Sequence, residues 1–132
     1  MVFLQGVDLV QISRINKIYR KYGKVFLNKV LSQKEIELLS EFRNDKVISV
    51  KIANRFAAKE ALVKAIGAGF TNGLSFNQIE IYHNKYGKPF IRVSKKLLDI
   101  VKKFLPDFEK FNINLTISDE KRYSIAVVTL TK

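Results

Sequence analysis

The sequence predicts a single α+β domain, in which an antiparallel sheet built from hairpins packs against a long central helix. The chain has 132 residues, a length typical of one domain. Hydrophobic residues make up 47% of it, which is enough to form a core. Strand-like and helical apolar patterns follow one another in the order β-α-α-α-β-β-α-β-β. Since no linker or repeat divides the chain, residues 1–132 are treated as one domain.

The N-terminal half predicts one strand and three helices. The stretch "MVFLQGVDLVQI" is aliphatic and β-branched, and it predicts a strand that ends near Leu9. In "SRINKIYRKYG" apolar residues recur at helical spacing up to Gly23. Ser32 followed by Glu35 is a capping-box pattern, which predicts the start of a second helix. A third, central helix is predicted over about 49–68, where a glycine pair ends it.

The C-terminal half predicts two hairpins on either side of a short helix. The stretch "NQIEIYHNKYGKPFIRVS" contains two strand patterns around a polar turn. Ser94 then caps the helical stretch "KKLLDIVKKFL", and Pro106 lies just beyond it. The second hairpin is "FNINLTISDEKRYSIAVVTLT", whose arms are separated by "DEKR". Because a hairpin joins neighbouring antiparallel strands, we expect an antiparallel sheet.

Charge and composition restrict the chemistry that the chain can perform. Lys and Arg total 24 and Asp and Glu total 12, so the formal net charge is +12. Such a surface attracts polyanions, namely nucleic acid, anionic lipid, a phosphorylated cofactor or an acidic protein, or it is simply solvated. Thiolate zinc sites and multi-histidine metal sites are excluded, since the chain has no cysteine and His83 is its one histidine. Neither a membrane span nor a signal peptide is apparent, so we expect a cytoplasmic protein.

The central helix carries a carboxylate and a cation among small apolar residues. In "RFAAKEALVKAIGAG", Glu60 and Lys64 are four residues apart and therefore share a face with Ala53, Ala57 and Ala61. The small residues leave room for another helix or a ligand. The charged pair is either an ordinary salt bridge worth about 0.2–0.5 kcal/mol or part of a phosphate site. In a phosphate site Glu60 would bind Mg²⁺, which typically takes one or two carboxylates, and Lys64 would contact the phosphates.

Asp8 is the second candidate carboxylate. It is the one charged residue in the otherwise apolar strand pattern "VFLQGVDLV". A buried carboxylate is expensive unless it is paired or bound to a metal, whereas one that faces water needs no partner. Asp8 and Glu60 are therefore the candidate metal pair.

Several segments resemble the bacterial holo-acyl-carrier-protein synthases, the small 4′-phosphopantetheinyl transferases. The resemblance rests on "GVDLVQISRI", "RFAAKEALVKAIGAG" and the "GKP" of "LSFNQIEIYHNKYGKPFI", with a further likeness in the closing hairpin. It spans the whole chain and implies the fold of that family. It also implies an enzyme of fatty acid biosynthesis that transfers 4′-phosphopantetheine from coenzyme A to a serine of apo acyl carrier protein. The second product would be adenosine 3′,5′-bisphosphate.

The same resemblance implies roles for individual residues. Asp8 and Glu60 would bind Mg²⁺ at the pyrophosphate of coenzyme A, and with Lys64 they form the predicted catalytic set. The residues predicted to contact coenzyme A are Arg55, Lys59, Lys64, Gly87, Lys88 and Pro89.

The resemblance further implies how the chain meets its partners. Arg14 would dock the carrier protein, and Lys17 and Lys21 fall on the same side of the first predicted helix. Members of the family form trimers with an active site at each subunit interface, so we expect a homotrimer.

Two features leave alternatives open. Asp119 stands where the family commonly has a histidine after "TIS", and no role beyond that of a hairpin-turn residue is assigned to it. The base for the attacking serine is Asp8, a water on the metal, or Lys59, and Lys59 is either a phosphate-facing or a salt-bridging cation.

Two rival functions follow from these features. The net charge alone suggests a nucleic-acid-binding module, although no RNP motif, zinc ligands or recognition helix is evident, so we expect no nucleic-acid partner. A carrier-protein-binding homologue without catalysis is favoured by Asp119. The presence of Asp8, Glu60 and Lys64 argues against that homologue.

Overall fold

The structure is a computed structural model that describes residues 1–70 and 73–132. These residues contain two antiparallel sheets, five α-helices and two short 3₁₀ helices. The strands are β1 (Phe3–Gln11), β2 (Glu80–His83), β3 (Pro89–Arg92), β4 (Asn112–Asp119) and β5 (Tyr123–Thr131). The α-helices are α1 (Ile12–Tyr22), α2 (Lys24–Val30), α3 (Gln33–Leu39), α4 (Asp45–Ile66) and α5 (Lys95–Val101). The 3₁₀ helices are Phe76–Gln78 and Phe108–Lys110.

The α+β class, the two hairpins and the helix caps of the sequence prediction are confirmed. Ser32 accepts a hydrogen bond from the Glu35 amide, and the Glu35 side chain accepts one from the Ser32 amide, so the capping box is formed. The central helix is longer than predicted because Asn44 caps it, accepting from the Lys46 amide at 2.8 Å. Gly67, with φ of 84°, ends the helix.

Helix α2 is absent from the prediction. It has seven residues and follows α1 directly, because Gly23 ends one helix and precedes the other with φ of 54°. Glycine adopts this positive φ readily, whereas other residues are strained there. The short helix has no polar capping side chain and is held by burial of Phe26, Leu27 and Val30. A stretch this short is too brief for a helical period to be recognised.

The strands form two sheets where the sequence led us to expect one. In the larger sheet β5 lies between β1 and β4, and all neighbours are antiparallel. The smaller sheet is the β2–β3 hairpin. In the larger sheet Ala126, Val128 and Leu130 of β5 point into the core and are fully buried.

Helix α4 packs against the inner face of the larger sheet. Its Ala53, Ala57 and Ala61 are fully buried. At Gly6 of β1, a Cβ atom would lie 1.9 Å from the Ala61 carbonyl oxygen and 2.6 Å from the Ala65 amide nitrogen. A strand therefore packs against the small residues of α4, in place of the second helix or ligand considered from the sequence.

In the described part of the chain, no helix combines the length and the apolar character needed to cross a membrane.

Candidate functional site

Asp8, Glu60 and Lys64 meet at one cavity, although Asp8 lies on β1 and the other two lie on α4. The cavity has a volume of about 220 Å³, and Arg14 of α1 also lines it. The Lys64 ammonium donates to Oδ1 of Asp8 and to the Val7 carbonyl oxygen, each at 3.0 Å. Among the described residues the ion pair of Lys64 is thus with Asp8, from the distant strand.

The backbone explains why these side chains converge. Side chains alternate between the two faces of a strand, so Asp8 shares the inner face of β1 with Gly6 and Val10. The close contact at Gly6 holds this part of β1 against Ala61, next to Glu60. Lys64 lies one turn further along α4 on the same side as Glu60. The side chain of Asp8 is 14% exposed, so it faces the cavity more than bulk water.

The electrostatics of the cavity favour a bound cation. Burial raises the pKa of Glu60, the neighbouring Asp8 carboxylate raises it further, and Lys64 opposes the rise. A cation beside the two carboxylates would offset the repulsion that Asp8 exerts on an ionised Glu60. Their oxygen atoms are the ligand type that Mg²⁺ prefers, and substrate phosphate and water commonly complete its shell. The residues present therefore fit a Mg²⁺ site.

Lys59 lies away from this cavity, in the core. Its side chain is fully buried, and its ammonium donates to Oε1 of Glu35 at 2.5 Å and to the Val30 carbonyl at 2.8 Å. Burial lowers the pKa of Lys59, and Glu35 opposes this effect. The sequence left two roles open for Lys59, a phosphate-facing cation or a salt-bridging cation. Its geometry is that of the salt-bridging cation. Contact with coenzyme A, or service as a base, stays a prediction that this buried position does not favour.

Arg55 lines a second cavity of about 310 Å³, together with Lys51 and His83. Burial lowers the pKa of His83, Arg55 and Lys51 lower it further, and Glu35 opposes the effect. At about 100° per residue, Arg55 and Glu60 point about 140° apart around α4. The predicted contact of Arg55 with coenzyme A therefore lies on a different side of the subunit from Glu60.

The turn with Gly87, Lys88 and Pro89 lies near this second cavity. Pro89 pairs with His83 across the β2–β3 hairpin. Asn84 shapes the turn, because its side-chain oxygen accepts from the amides of Tyr86 and Lys88, each at 2.9 Å. Apart from the buried Lys59, the residues predicted to bind coenzyme A thus divide into two groups within one subunit, with Lys64 at the first cavity and Arg55 and the nearby turn at the second.

Arg14, Lys17 and Lys21 are exposed along α1. Arg14 also lines the first cavity. A partner bound to this face of α1 would lie next to Asp8 and Glu60. Their role in docking the carrier protein stays a prediction.

Asp119 is more than a turn residue. It ends β4, and its carboxylate accepts a hydrogen bond from the side-chain Nδ2 of Asn54 in α4 at 3.0 Å. The buried Ser124 hydroxyl donates to the same Asn54 side chain at 2.6 Å. Asp119 therefore connects the closing hairpin to the central helix.

Glu35 is the residue that the sequence reasoning underestimated. Its capping role was predicted, but its side chain is fully buried between α3, α4 and β2. A capping glutamate is normally exposed, and nothing local in the sequence marks this one as buried. The signal available was the excess of cations in "RFAAKEALVK", which need an anionic partner from another element.

The chain is similar to known proteins over nearly its whole length. A model of the 4′-phosphopantetheinyl transferase superfamily matches residues 5–128, which include Asp8, Glu60 and Lys64. The chain is 42% identical over 130 residues to a holo-[acyl-carrier-protein] synthase of Wolbachia pipientis subsp. Culex pipiens, and 98% of each protein is covered. It is 44% identical over 127 residues to the protein of that name from Pelagibacter ubique, which covers 96% of this chain and 94% of the relative. Its fold is similar to that of Helicobacter pylori holo-[acyl-carrier-protein] synthase in complex with coenzyme A. The TM-score is 0.78 at 32% identity, with 97% of this chain and 100% of that one covered.

Proposed function

Because the chain belongs to the 4′-phosphopantetheinyl transferase superfamily, we propose that it is a holo-[acyl-carrier-protein] synthase. It transfers 4′-phosphopantetheine from coenzyme A to a serine of apo acyl carrier protein and releases adenosine 3′,5′-bisphosphate. The observation that carries this proposal is the cavity where Asp8 and Glu60 meet beside Lys64. The names of the relatives and the coenzyme A bound by one of them support the substrates.

In this proposal Asp8 and Glu60 hold Mg²⁺. When bound, the ion neutralises charge on the pyrophosphate of coenzyme A, which makes the nucleotide a better leaving group. Lys64, whose ammonium lies 3.0 Å from Asp8, adds a positive charge for the phosphate oxygens. The residues thereby position the substrate and stabilise charge without forming a covalent intermediate.

The transfer forms one phosphorus–oxygen bond and breaks another. The serine oxygen attacks the phosphorus atom next to the pantetheine, and the bond from that phosphorus to the nucleotide is broken. The nucleotide departs with the bonding electron pair, and the serine proton passes to an acceptor within hydrogen-bond reach. Of the two side chains considered as bases, Asp8 lies on the cavity, whereas Lys59 is committed to Glu35 and Val30.

We further propose that the chain assembles as a homotrimer. The outer face of the larger sheet is apolar and exposed, with Phe3 at 58% and Leu9 at 61% of full exposure. Val7, Tyr123 and Ile125 extend this surface. Copies of the chain arranged around a threefold axis would cover it. Assembly would also bring the second cavity of one subunit towards the first cavity of its neighbour, which joins the two groups of predicted coenzyme A residues.

A shared site predicts complementation between two inactive variants. We expect Glu60→Ala and Arg55→Met to be inactive alone. When equal amounts are assembled together, about a quarter of the sites receive an intact half from each subunit, so about a quarter of wild-type activity should return. The measurement is transfer activity after co-expression, with light scattering to report the mass of the assembly.

The matched control mixes Glu60→Ala with Asp8→Ala. Both changes fall in the first cavity, so no site in the mixture is intact and no activity should return. Recovery in the control, or a monomer with full activity, contradicts the shared site.

The exposed basic side of α1 predicts a specific kinetic effect. Arg14→Glu should raise KM for the carrier protein more than tenfold, a loss of at least about 1.4 kcal/mol. KM for coenzyme A should change little, because this side chain faces an acidic partner and not the nucleotide. KM for the carrier protein should also rise with salt, since the Debye length falls to about 8 Å at 0.15 M.

Steady-state kinetics in which each substrate is varied separately tests whether Arg14 contacts the carrier protein. The matched control is Arg20→Glu, which reverses an exposed charge at another position of the same helix. If Arg14→Glu leaves KM for the carrier protein unchanged, or affects coenzyme A alone, α1 is not the docking surface.

Mass spectrometry tests the proposed reaction itself. Apo acyl carrier protein incubated with the chain, Mg²⁺ and coenzyme A should gain about 340 Da. Chelation of the metal, or replacement of the acceptor serine by alanine, should prevent the gain. Carrier-protein binding without a mass change would favour the non-catalytic homologue. Competition by nucleic acid at low salt, independent of Mg²⁺, would favour the nucleic-acid-binding module.

A further inference from the structure

Glu35 is the point where three elements meet in the core. Its Oε1 accepts from the Ser32 amide at 2.8 Å and from the Lys59 ammonium at 2.5 Å. Its Oε2 accepts from the Ile81 amide of β2 at 3.0 Å and lies 3.6 Å from Nε of Arg55. One fully buried carboxylate thus joins the start of α3, the middle of α4 and the β2–β3 hairpin.

The charges around Glu35 do not cancel. A single carboxylate faces two cations, and Lys59 makes the shorter contact. Glu80 is the next carboxylate nearby, and it is bound by Arg92 at 2.7 Å and by the Ser32 hydroxyl at 3.0 Å. Arg55 therefore keeps positive charge at the wall of the second cavity.

Arg55 is buried, but not all of its hydrogen-bond donors have a partner in the described part of the chain. It is 6% exposed, and its Nη1 donates to the Lys51 carbonyl at 3.2 Å. Within residues 1–70 and 73–132, its Nε has no hydrogen-bond partner. The 3.6 Å separation from Glu35 orients the guanidinium electrostatically without occupying this donor.

The burial of the Glu35–Lys59 ion pair is weak evidence that the pair serves only to stabilise the fold. Removing two charges from water costs several kcal/mol per ion, and well-packed apolar residues are often equally stable or more so. What an apolar pair does not supply is a fixed orientation for Arg55 together with an acceptor for the Ile81 amide. The hairpin that starts at β2 also carries Gly87, Lys88 and Pro89.

We propose that Glu35 is a positioning residue for coenzyme A binding. Its carboxylate orients Arg55 and anchors the β2–β3 hairpin. The two walls of the second cavity, one on α4 and one on the hairpin, are thereby held in a fixed relative position. Glu35 does not touch the substrate, and Lys59 serves as its counter-ion. The inference rests on the proposed function, because it names the residue that organises the part of the site assigned to coenzyme A.

The test separates positioning from stability by replacing the whole ion pair. In Glu35→Gln/Lys59→Met the carboxylate and its counter-ion are removed together and the net charge around Arg55 does not change, so the melting temperature should stay within a few degrees of the wild type. The dissociation constant and KM for coenzyme A should nevertheless rise at least about tenfold, because Arg55 loses its carboxylate. KM for the carrier protein and kcat at saturating coenzyme A should stay within about twofold. Unchanged affinity for coenzyme A in a folded double variant would overturn the proposal.

Three further variants keep the test decisive. Glu80→Gln changes a carboxylate on the same hairpin that contacts Arg92 and not Arg55, and it should leave coenzyme A affinity unchanged. If the double variant does not fold, Glu35→Asp retains the charge and shortens its reach, and it should still weaken coenzyme A binding at least about threefold. In an Arg55→Met background, Glu35→Asp should have a smaller effect than in the wild-type chain, since part of its action passes through Arg55. An additive loss, or an effect of Glu80→Gln equal to that of the Glu35 variants, contradicts the positioning role.

Binding is measured by calorimetry with coenzyme A itself, independently of turnover. A wild-type chain that binds coenzyme A but gives no mass gain on the carrier protein would refute the proposed transfer and leave Glu35 testable. A chain that transfers normally, with coenzyme A affinity insensitive to Glu35, would refute only this inference.

Discussion

Glu60→Ala should lower kcat about 10²–10³-fold while the chain remains folded. Loss of a single preorganised charge-stabilising group in an active site has an effect of this size. Glu60 lines the same cavity as Asp8, and its removal leaves the proposed Mg²⁺ with one protein carboxylate. Turnover, and Mg²⁺ affinity by calorimetry, should fall together.

The folded state should tolerate this change because of the direction of the pKa shift. The pKa of Glu60 is raised in the folded chain, so the associated stability is present below the unfolded pKa and is lost as pH rises through the raised value. Ionisation of Glu60 is therefore unfavourable in the folded chain, and removing the carboxylate should not lower the melting temperature. Glu37→Ala, at an exposed position of α3, is the matched control for removal of a glutamate and should keep full activity.

Asp8→Ala provides the second corner of a double-mutant cycle. It should reduce turnover and Mg²⁺ affinity by a similar factor, and the double variant should be little worse than either single one. Groups that act on one ion lose their effect together, so the changes are far from additive. Near-normal turnover in Glu60→Ala, or small additive losses, would disprove the metal pair.

Gly6→Ala should destabilise the chain by about 3 kcal/mol or more, or prevent folding. The new Cβ would lie 1.9 Å from the Ala61 carbonyl oxygen and 2.6 Å from the Ala65 amide nitrogen. Both are backbone atoms of α4, so no side-chain rotation relieves the clash. The strand would have to move away from the helix, and Asp8, two residues further on, would move away from Glu60.

Denaturant unfolding measures the effect, and Gly23→Ala separates crowding from backbone strain. At Gly23 nothing lies within 4 Å of the added Cβ, so only the positive φ is penalised. That penalty should be about 1–3 kcal/mol. A Gly6→Ala chain as stable as the wild type would show that β1 does not pack on α4 as described.

Local patterns in the sequence were sufficient to predict most elements and to single out three residues that meet at the first cavity. Ser32 with Glu35 marked the start of α3, and spacing of four residues placed Glu60 and Lys64 on one face of a helix. Asp8 stands out in the sequence because it is a charge within an apolar strand. Each of these signals involves residues close in the chain, whose relative positions follow from helical or strand geometry. Helix α2 was missed because seven residues without a polar cap carry no such signal.

The tertiary structure alone decided what each charged side chain contacts. Lys64 bonds to Asp8, 56 residues earlier, and Lys59 turns inward to Glu35. Gly6 packs directly against the Ala61 backbone, and this contact brings β1 close enough for the first cavity to form. A helical period states which residues share a face, but it does not state what lies opposite that face. The partner depends on which distant element packs there, and burial then determines whether a cation such as Lys59 pairs in the core or, like Lys64, reaches the cavity.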